Sequence, residues 1–363
     1  MYRVGRRNEG KGAYIGWDEA TDMIARRFDD IRKQMGPEYI AIAQGTGRPY
    51  TEFTNRLCHA LGSPNMVSPA FNCFVPRNIC ADITLGWFPQ PDIYGRGGVM
   101  PRCFMVLGSN TMETGAADGY CGGMMSKAFR EADTTIVIDP RSTRAAKKAD
   151  LHLALRPGTE CALLLGMLHV IIREKAYDEV FIRDYCVGFE ELSAHIKRHS
   201  PEWAAKITRV PAKDIETAAL AFATVKPACL HWGNGIDENV TAFQTARAVF
   251  ILLAICGTLD IPGGMVRWVP PAGIRPKSTM VDQGVAGGQF LSATQRAKVL
   301  SGFPFCPGAH PPAFWNACVT GIPYRPRAIW MVGTNPIMTQ TRGDMTAKAL
   351  KEHLDFVVTS DFF

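Results

Sequence analysis

Residues 104–114 read FMVLGSNTMET and residues 329–339 read IWMVGTNPIMT. Each is an apolar run, then Gly, then Ser or Thr, then Asn, with a Thr six residues after the glycine. A short apolar run closed by glycine and followed by helical patterning reads as a buried strand turning into a helix. After Gly108-Ser109-Asn110 a helix is expected over about 116–130, then a strand over 135–138 ending in Asp139-Pro140-Arg141. After Gly333-Thr334-Asn335 a helix is expected over about 344–353, then a strand over 356–359 ending in Ser360-Asp361. Strand and helix alternate, which argues for parallel sheets covered on both faces. The expectation is an α/β protein of two Rossmann-like domains with mainly parallel sheets, one domain being discontinuous. It would combine 1–72 with 264–363, and the other would be 73–263.

The rest of the chain supports the pattern. Asp18 is read as the cap of a helix over 19–35, followed by a strand at 39–43 and the glycine turn 45–47. Further strands are read at 103–107, 151–155 and 228–231, the last stopping at Gly233-Asn234-Gly235. Helices are read at 51–61, 161–173, 178–185, 189–199, 212–223 and 241–256. Residues 63–101 and 263–325 are rich in Pro, Gly and aromatics and read as irregular; the second is long enough for a functional loop.

Composition removes several classes. The 363 residues favour two or three domains at about 150 residues each. With 47% hydrophobic and 20% charged residues, the chain is ordinary globular material rather than collagen-like, coiled-coil or disordered. A net charge of +6 with no run of five basic residues gives little support for nucleic-acid binding. The two longest charge-free apolar stretches fall short of the 18 or so residues a membrane span needs. The first residues lack the apolar core of a secretory signal. Eleven cysteines include no C-x-x-C pair, so they read mainly as buried free thiols of a reduced protein.

The chemistry lies at the strand tips. A parallel strand ending in Gly108 or Gly333 lets a phosphate approach the backbone closely, and the next helix offers unpaired N–H groups. Ser109 or Thr334 adds a hydroxyl, Asn110 or Asn335 holds the turn or the ligand, and Asp139 suits ribose hydroxyls. No G-x-G-x-x-G follows a strand, so the usual nicotinamide-cofactor fingerprint is missing. Glu160 follows Gly158-Thr159 at another strand end. Its carboxylate can accept from the N1 and N2 donors of guanine but not from the adenine edge; otherwise it is an acid in a helix first turn.

Taken in order, these segments resemble the molybdopterin (dimethyl sulfoxide reductase type) oxidoreductases. The carrying segments are RVGRRNEGKGAYIGWDEATDMIA, GPEYIAIAQGTGR, GSPN, VLGSN, HWGNGIDEN, CGTLDIPGGM and MVGTNPIMTQ. The most specific is VIDPRSTRAAKKADLHLALRPGTECALLLGMLHVII, residues 137–172. The resemblance implies bis-molybdopterin guanine dinucleotide around one molybdenum or tungsten atom. By that resemblance Gly108, Ser109, Asn110, Asp139, Arg141, Gly158, Thr159, Glu160 and Gly233 would hold one dinucleotide. Gly333, Thr334, Asn335, Ser360 and Asp361 would hold parts of the other. Glu160 stands where the family usually has Asp, and Thr111 where it often has Pro.

Within MVSPAFNCFVPRN, residues 66–78, Cys73 falls where the family has its thiolate ligand. A soft thiolate suits a metal already held by dithiolene sulfurs. Cys80 is the rival and reads as helix packing. Arg77 would clamp an anion or stabilise negative charge near the metal, or else pair with a pterin phosphate. Phe74 stands where formate-oxidising members usually carry His, and the Cys-Phe-x-Pro-Arg pattern is closer to the branch containing acetylene hydratase and related hydroxyl-transferring or dehydroxylating enzymes; thiosulfate and polysulfide reductases, which also use Cys, stay open beside it. The resemblance implies two-electron redox or oxygen or hydroxyl transfer on a small molecule; hydration or dehydroxylation on the same cofactor, and a cofactor-free scaffold, are the alternatives. The family's iron–sulfur cysteine cluster and its cap domain are not in this sequence. It therefore reads as the central part of a longer subunit, with an iron–sulfur electron-transfer partner and an undetermined compartment.

Overall fold

The computed structural model describes residues 1–7, 9–46, 50–114, 121–267, 273, 292–301 and 308–362. Among them the strands are β1 (Tyr2–Arg3), β2 (Gly12–Ala13), β3 (Ile40–Gln44), β4 (Met66–Val67), β5 (Pro89–Pro91), β6 (Cys103–Leu107), β7 (Thr134–Ile138), β8 (Leu151–Leu153), β9 (Ala228–Trp232), β10 (Met265–Arg267), β11 (Ala328–Val332) and β12 (Phe356–Ser360). The chain divides into two compact units, Met1–Asn72 with Pro270–Phe363, and Cys73–Val269.

Unit 2, Cys73–Val269, is built on a parallel sheet in the order β8-β7-β6-β9. The central strand CFMVL is buried at every position, as an all-parallel sheet covered on both faces requires. The helix Glu160–Arg173 packs on the helices Pro201–Thr208 and Ala212–Thr224, and the helix Ala242–Ile255 lies along the helix Val75–Leu85. One continuous core joins strands and helices, from Phe104 and Ile136 through Leu164 and Phe222 to Phe250. Each such side chain contributes about 2 kcal/mol by leaving water.

Unit 1 repeats the plan, with a parallel sheet in the order β12-β11-β3-β4. Ala41, Ala43, Trp315, Ile329 and Met331 share one core cluster, and Phe28, Ile40, Ile42 and Ala328 share another. The parallel α/β reading of the sequence therefore stands.

Several local expectations are corrected. The first long helix is Trp17–Gln34 with Gly16 at its cap, so Asp18 sits in the first turn and acts on the helix dipole instead. The irregular region 63–101 contains the helix Val75–Leu85, which starts at a proline. The region 263–325 contains the helix Pro311–Thr320, also started by prolines, while 268–272, 274–291 and 302–307 lie outside the described residues. The helix expected over 116–130 is described as Cys121–Glu131, after a short Thr111–Thr114 turn of helix; 115–120 lie outside the described residues. Pro201–Thr208, capped by Ser200, was not foreseen.

Candidate functional site

The two echoing turns are built alike. In unit 2, β6 ends at Leu107 and Gly108 turns with φ 57°, donating its N–H to Ile138 O at the end of β7 (2.9 Å). On the other side Gly233, following β9, donates to Leu107 O (3.0 Å). In unit 1, β11 ends at Val332 and Gly333 turns with φ 52°, donating to Ser360 O at the end of β12 (2.9 Å). There Gly45, following β3, donates to Val332 O (3.2 Å). The parallel registers bring these tips together, Leu107 opposite Trp232 and Val332 opposite Gln44.

Both flanking glycines are required by close approach. A methyl on Gly233 would lie 2.5 Å from Gly108 O and 2.9 Å from Ser109 Cα. A methyl on Gly45 would overlap Gly333 O. Gly45 is thus the unit 1 counterpart of Gly233. Sequence reading noted its turn but not this role; the signal was the recurrence of Gly-x-Gly after β3 and β9.

In unit 2 the turn carries buried polar atoms. Ser109 is buried and its Oγ lies 3.0 Å from His231 Nε2. Burial, aided by the Arg77 charge, pushes the His231 imidazole down to about 4, so it is neutral at pH 7. Asn110 Nδ2 donates to Glu113 Oε2 (3.0 Å), while its Oδ1 is buried with no hydrogen-bond partner among the described residues. Asp139 follows β7, is 3% exposed, and its Oδ1 accepts from the Arg141 N–H at 2.8 Å; the Arg141 side chain is exposed. Gly158 has φ 80° and sits beside Thr159, the cap of the helix that Glu160 opens. Glu160 is 5% exposed; Oε1 accepts from the Gly158 N–H (3.4 Å) and Oε2 is buried without a partner among the described residues. Burial pushes its carboxyl above the ordinary range.

In unit 1 the corresponding residues are more open. Gly333 and Asn335 are exposed and Thr334 is half-buried. The Ser360 Oγ accepts from Trp330 Nε1 (2.9 Å), and exposed Asp361 accepts from the Phe362 N–H (2.8 Å).

Cys73 lies in unit 2 just before the helix Val75–Leu85. Its half-buried Sγ accepts from Asn234 Nδ2 at 3.0 Å. Burial pushes the thiol up, and the Asn234 amide opposes that shift. Arg77, 9% exposed, directs Nη2 to Asn234 Oδ1 (2.8 Å), Nη1 to Trp232 O (3.2 Å) and Nε to Asp237 Oδ2 (3.0 Å). Asp237 also accepts from the Arg77 backbone N–H (3.2 Å), tying the first turn of the helix. Removing one partner from such a buried pair costs about 3–5 kcal/mol. Burial raises the Asp237 carboxyl to about 6 against the pull of Arg77. His231, Asn234 and Asp237 were not singled out by sequence, although all lie in the quoted HWGNGIDEN. Cys80 is buried, its Sγ against Phe243 O (3.5 Å).

The described residues hold no cluster of three His, Cys, Asp or Glu able to bind a metal by themselves. No helix among them is long and apolar enough to cross a membrane. The donor set of unit 2 fits a guanine nucleotide. The Gly158 turn is open beside its Cα, and the orphaned acceptors Asn110 Oδ1 and Glu160 Oε2, which have no donor among the described residues, suit a ligand that brings N–H or O–H groups. The half-buried Cys73 thiol suits a metal whose other ligands come from a cofactor.

The molybdopterin oxidoreductase family model matches residues 1–363. The chain is 28% identical to acetylene hydratase of Syntrophotalea acetylenica over 99% of its length and 51% of that protein. It is 29% identical to the thiosulfate reductase molybdopterin-containing subunit of Salmonella typhimurium, over 100% of this chain and 48% of that one. The solved acetylene hydratase from Pelobacter acetylenicus superposes with a TM-score of 0.82 at 28% identity, covering 99% of this chain and 52% of that one. The chain thus spans about half the length of these relatives. The protein belongs to the molybdopterin oxidoreductase family, a family of enzymes.

Proposed function

We propose that this chain is the pterin-binding and metal-binding part of the catalytic subunit of a molybdenum or tungsten enzyme carrying bis-molybdopterin guanine dinucleotide. The observation that carries the reading is Glu160: a buried carboxylate oxygen without a protein donor, at a helix start beside a glycine turn. The N1 and N2 donors of guanine would satisfy it, as charge-assisted hydrogen bonds. In unit 2 Gly108, Ser109, Asn110, Gly233, Asp139 and Arg141 would hold the phosphate–ribose part of the dinucleotide, with Asn110 Oδ1 accepting from a ligand hydroxyl, and Gly158, Thr159 and Glu160 would lie at the base. In unit 1 Gly333, Thr334, Asn335, Ser360 and Asp361 would take the second tail, with Gly45 admitting the close turn. Cys73 would be the metal's protein ligand.

When bound, the metal–pterin group supplies a two-electron centre for oxygen or hydroxyl transfer on a small molecule. The chain's own part is to hold that group, to offer one thiolate, and to keep the buried Arg77–Asp237 pair behind it. An iron–sulfur electron-transfer subunit, and an iron–sulfur cluster elsewhere in the intact protein, would complete a redox enzyme. Non-redox hydration or dehydroxylation is the second reading, favoured by the likeness to acetylene hydratase over nearly the whole chain. A cofactor-free scaffold has no need of two glycine crossings or of an accessible thiol beside Asn234.

The test is Cys73→Ala in the intact subunit. Turnover is expected to fall by more than the 10–100-fold typical of losing an outer-shell partner, with pterin content retained. Unchanged turnover removes Cys73 from the mechanism, and purified parent subunit without pterin or metal defeats the whole reading.

A further inference from the structure

The Asp237–Arg77–Asn234–Cys73 chain has a directionality that the family assignment does not use. An asparagine amide has an acceptor end and a donor end. The Oδ1 end of Asn234 takes Arg77 Nη2 at 2.8 Å, which leaves Nδ2 against Cys73 Sγ at 3.0 Å. The flipped amide would set its N–H group against the guanidinium, which cannot accept, and its oxygen against the sulfur, which as a thiolate cannot donate. Arg77 therefore dictates which end of Asn234 meets the sulfur.

Arg77 is itself fixed. Its Nη1 is held by Trp232 O at the end of β9, its Nε by Asp237, and its backbone N–H by the other oxygen of Asp237. Both charged groups are buried, Asn234 is exposed and Cys73 half-buried. A rigid interior pair thus imposes its geometry on an accessible sulfur. Held in this way, a donor on a thiolate draws electron density from the sulfur, and hydrogen bonds to ligating sulfurs raise the potential of the metal they bind.

Resting on the reading of Cys73 as the metal ligand, we propose that Asn234 is a positioning residue for that sulfur. Its amide, oriented by Arg77 and Asp237, donates to Sγ and sets the sulfur's direction and its electron donation to the metal. Arg77 acts through Asn234.

The experiment compares Asn234→Asp, Asn234→Ala and Cys73→Ser in the intact, metal-loaded subunit. The readouts are the midpoint potential of the metal and its sulfur coordination number by X-ray absorption. Asn234→Ala removes the donor and is expected to shift the potential negative with the sulfur count unchanged. Asn234→Asp keeps the size and the acceptor for Arg77 but sets an oxygen against Sγ, and is expected to shift it further. Cys73→Ser is expected to lower the sulfur count by one. A parent-like potential in Asn234→Asp overturns the role of Asn234, because a space-filling residue would behave in that way. Loss of metal from Asn234→Asp overturns it too, since the residue would then be retaining the cofactor. An unchanged sulfur count in Cys73→Ser instead defeats the reading of Cys73 as ligand, whatever Asn234 does.

Discussion

The turn at Gly108 and the turn at Gly333 share their backbone hydrogen bonds but not their surroundings. Each central strand ends in a glycine of positive φ that donates to one neighbouring strand, while a flanking glycine donates back to the strand end. In unit 2 that crossing carries buried polar groups, Ser109 against a neutral His231 and the Asn110 Oδ1, with buried Asp139 at the tip of the adjacent β7. In unit 1 the turn is open, and the Ser360 hydroxyl is already engaged by Trp330. The comparison teaches that the echo in sequence encodes the turn alone. What sets the unit 2 turn apart is buried polarity, part of it brought from another strand, as His231 of β9.

The strongest way to break the likeness is to fill the crossings. Gly233→Ala and Gly45→Ala each drive a methyl into a backbone carbonyl that cannot rotate away. Each is expected to cost about 1–3 kcal/mol and to lower the guanine nucleotide released per subunit. Thermal melts and nucleotide content measure both, and full content in only one variant would end the equivalence.

A middle-sized effect is expected from Glu160→Gln, which should weaken guanine retention about tenfold or more by removing charge-assisted acceptance. Burial raises the Glu160 carboxyl, so the unfolded chain releases that proton at lower pH than the folded one. The unliganded protein therefore loses stability as pH rises through the folded value, and Glu160→Gln should flatten that loss. Melts across pH 4–8, with and without bound cofactor, test the sign.

The smallest effect sharpens the contrast. Gly333→Ala meets the Tyr50 hydroxyl, the end of a side chain, whereas Gly108→Ala meets the Gly235 backbone at 3.2 Å. Gly333→Ala is expected to cost about 1–2 kcal/mol, chiefly for its left-handed φ, with part recovered on adding Tyr50→Phe. Gly108→Ala has no such rescue, and chemical denaturation of the three variants decides it.

The strands were legible because CFMVL, TTIVI and AIWMV are short apolar runs closed by polar or glycine breaks. The helix Val75–Leu85 was not, because Pro76 and the surrounding aromatics and glycines mask its period, though proline in a first turn is a helix starter. Cys73 and Glu160 stood out as residue types suited to a chemistry. His231, Asn234 and Asp237 did not, because their meaning comes from long-range contacts that composition does not reveal: His231 meets Ser109 where β9 lies beside β6, and Asn234 and Asp237 meet Cys73 and Arg77.

That unit 1 is made of two separated segments has a consequence for synthesis. The fully buried strand β3 has β11 as one of its sheet neighbours, and β11 leaves the ribosome only after the whole of unit 2. At about 5–20 residues per second, the nascent β3 edge stays unpaired for roughly 15–60 s. An apolar strand edge exposed for that long is an aggregation template. The contiguous unit 2 can close during the wait, while the segment Met1–Asn72 waits for its partner strands.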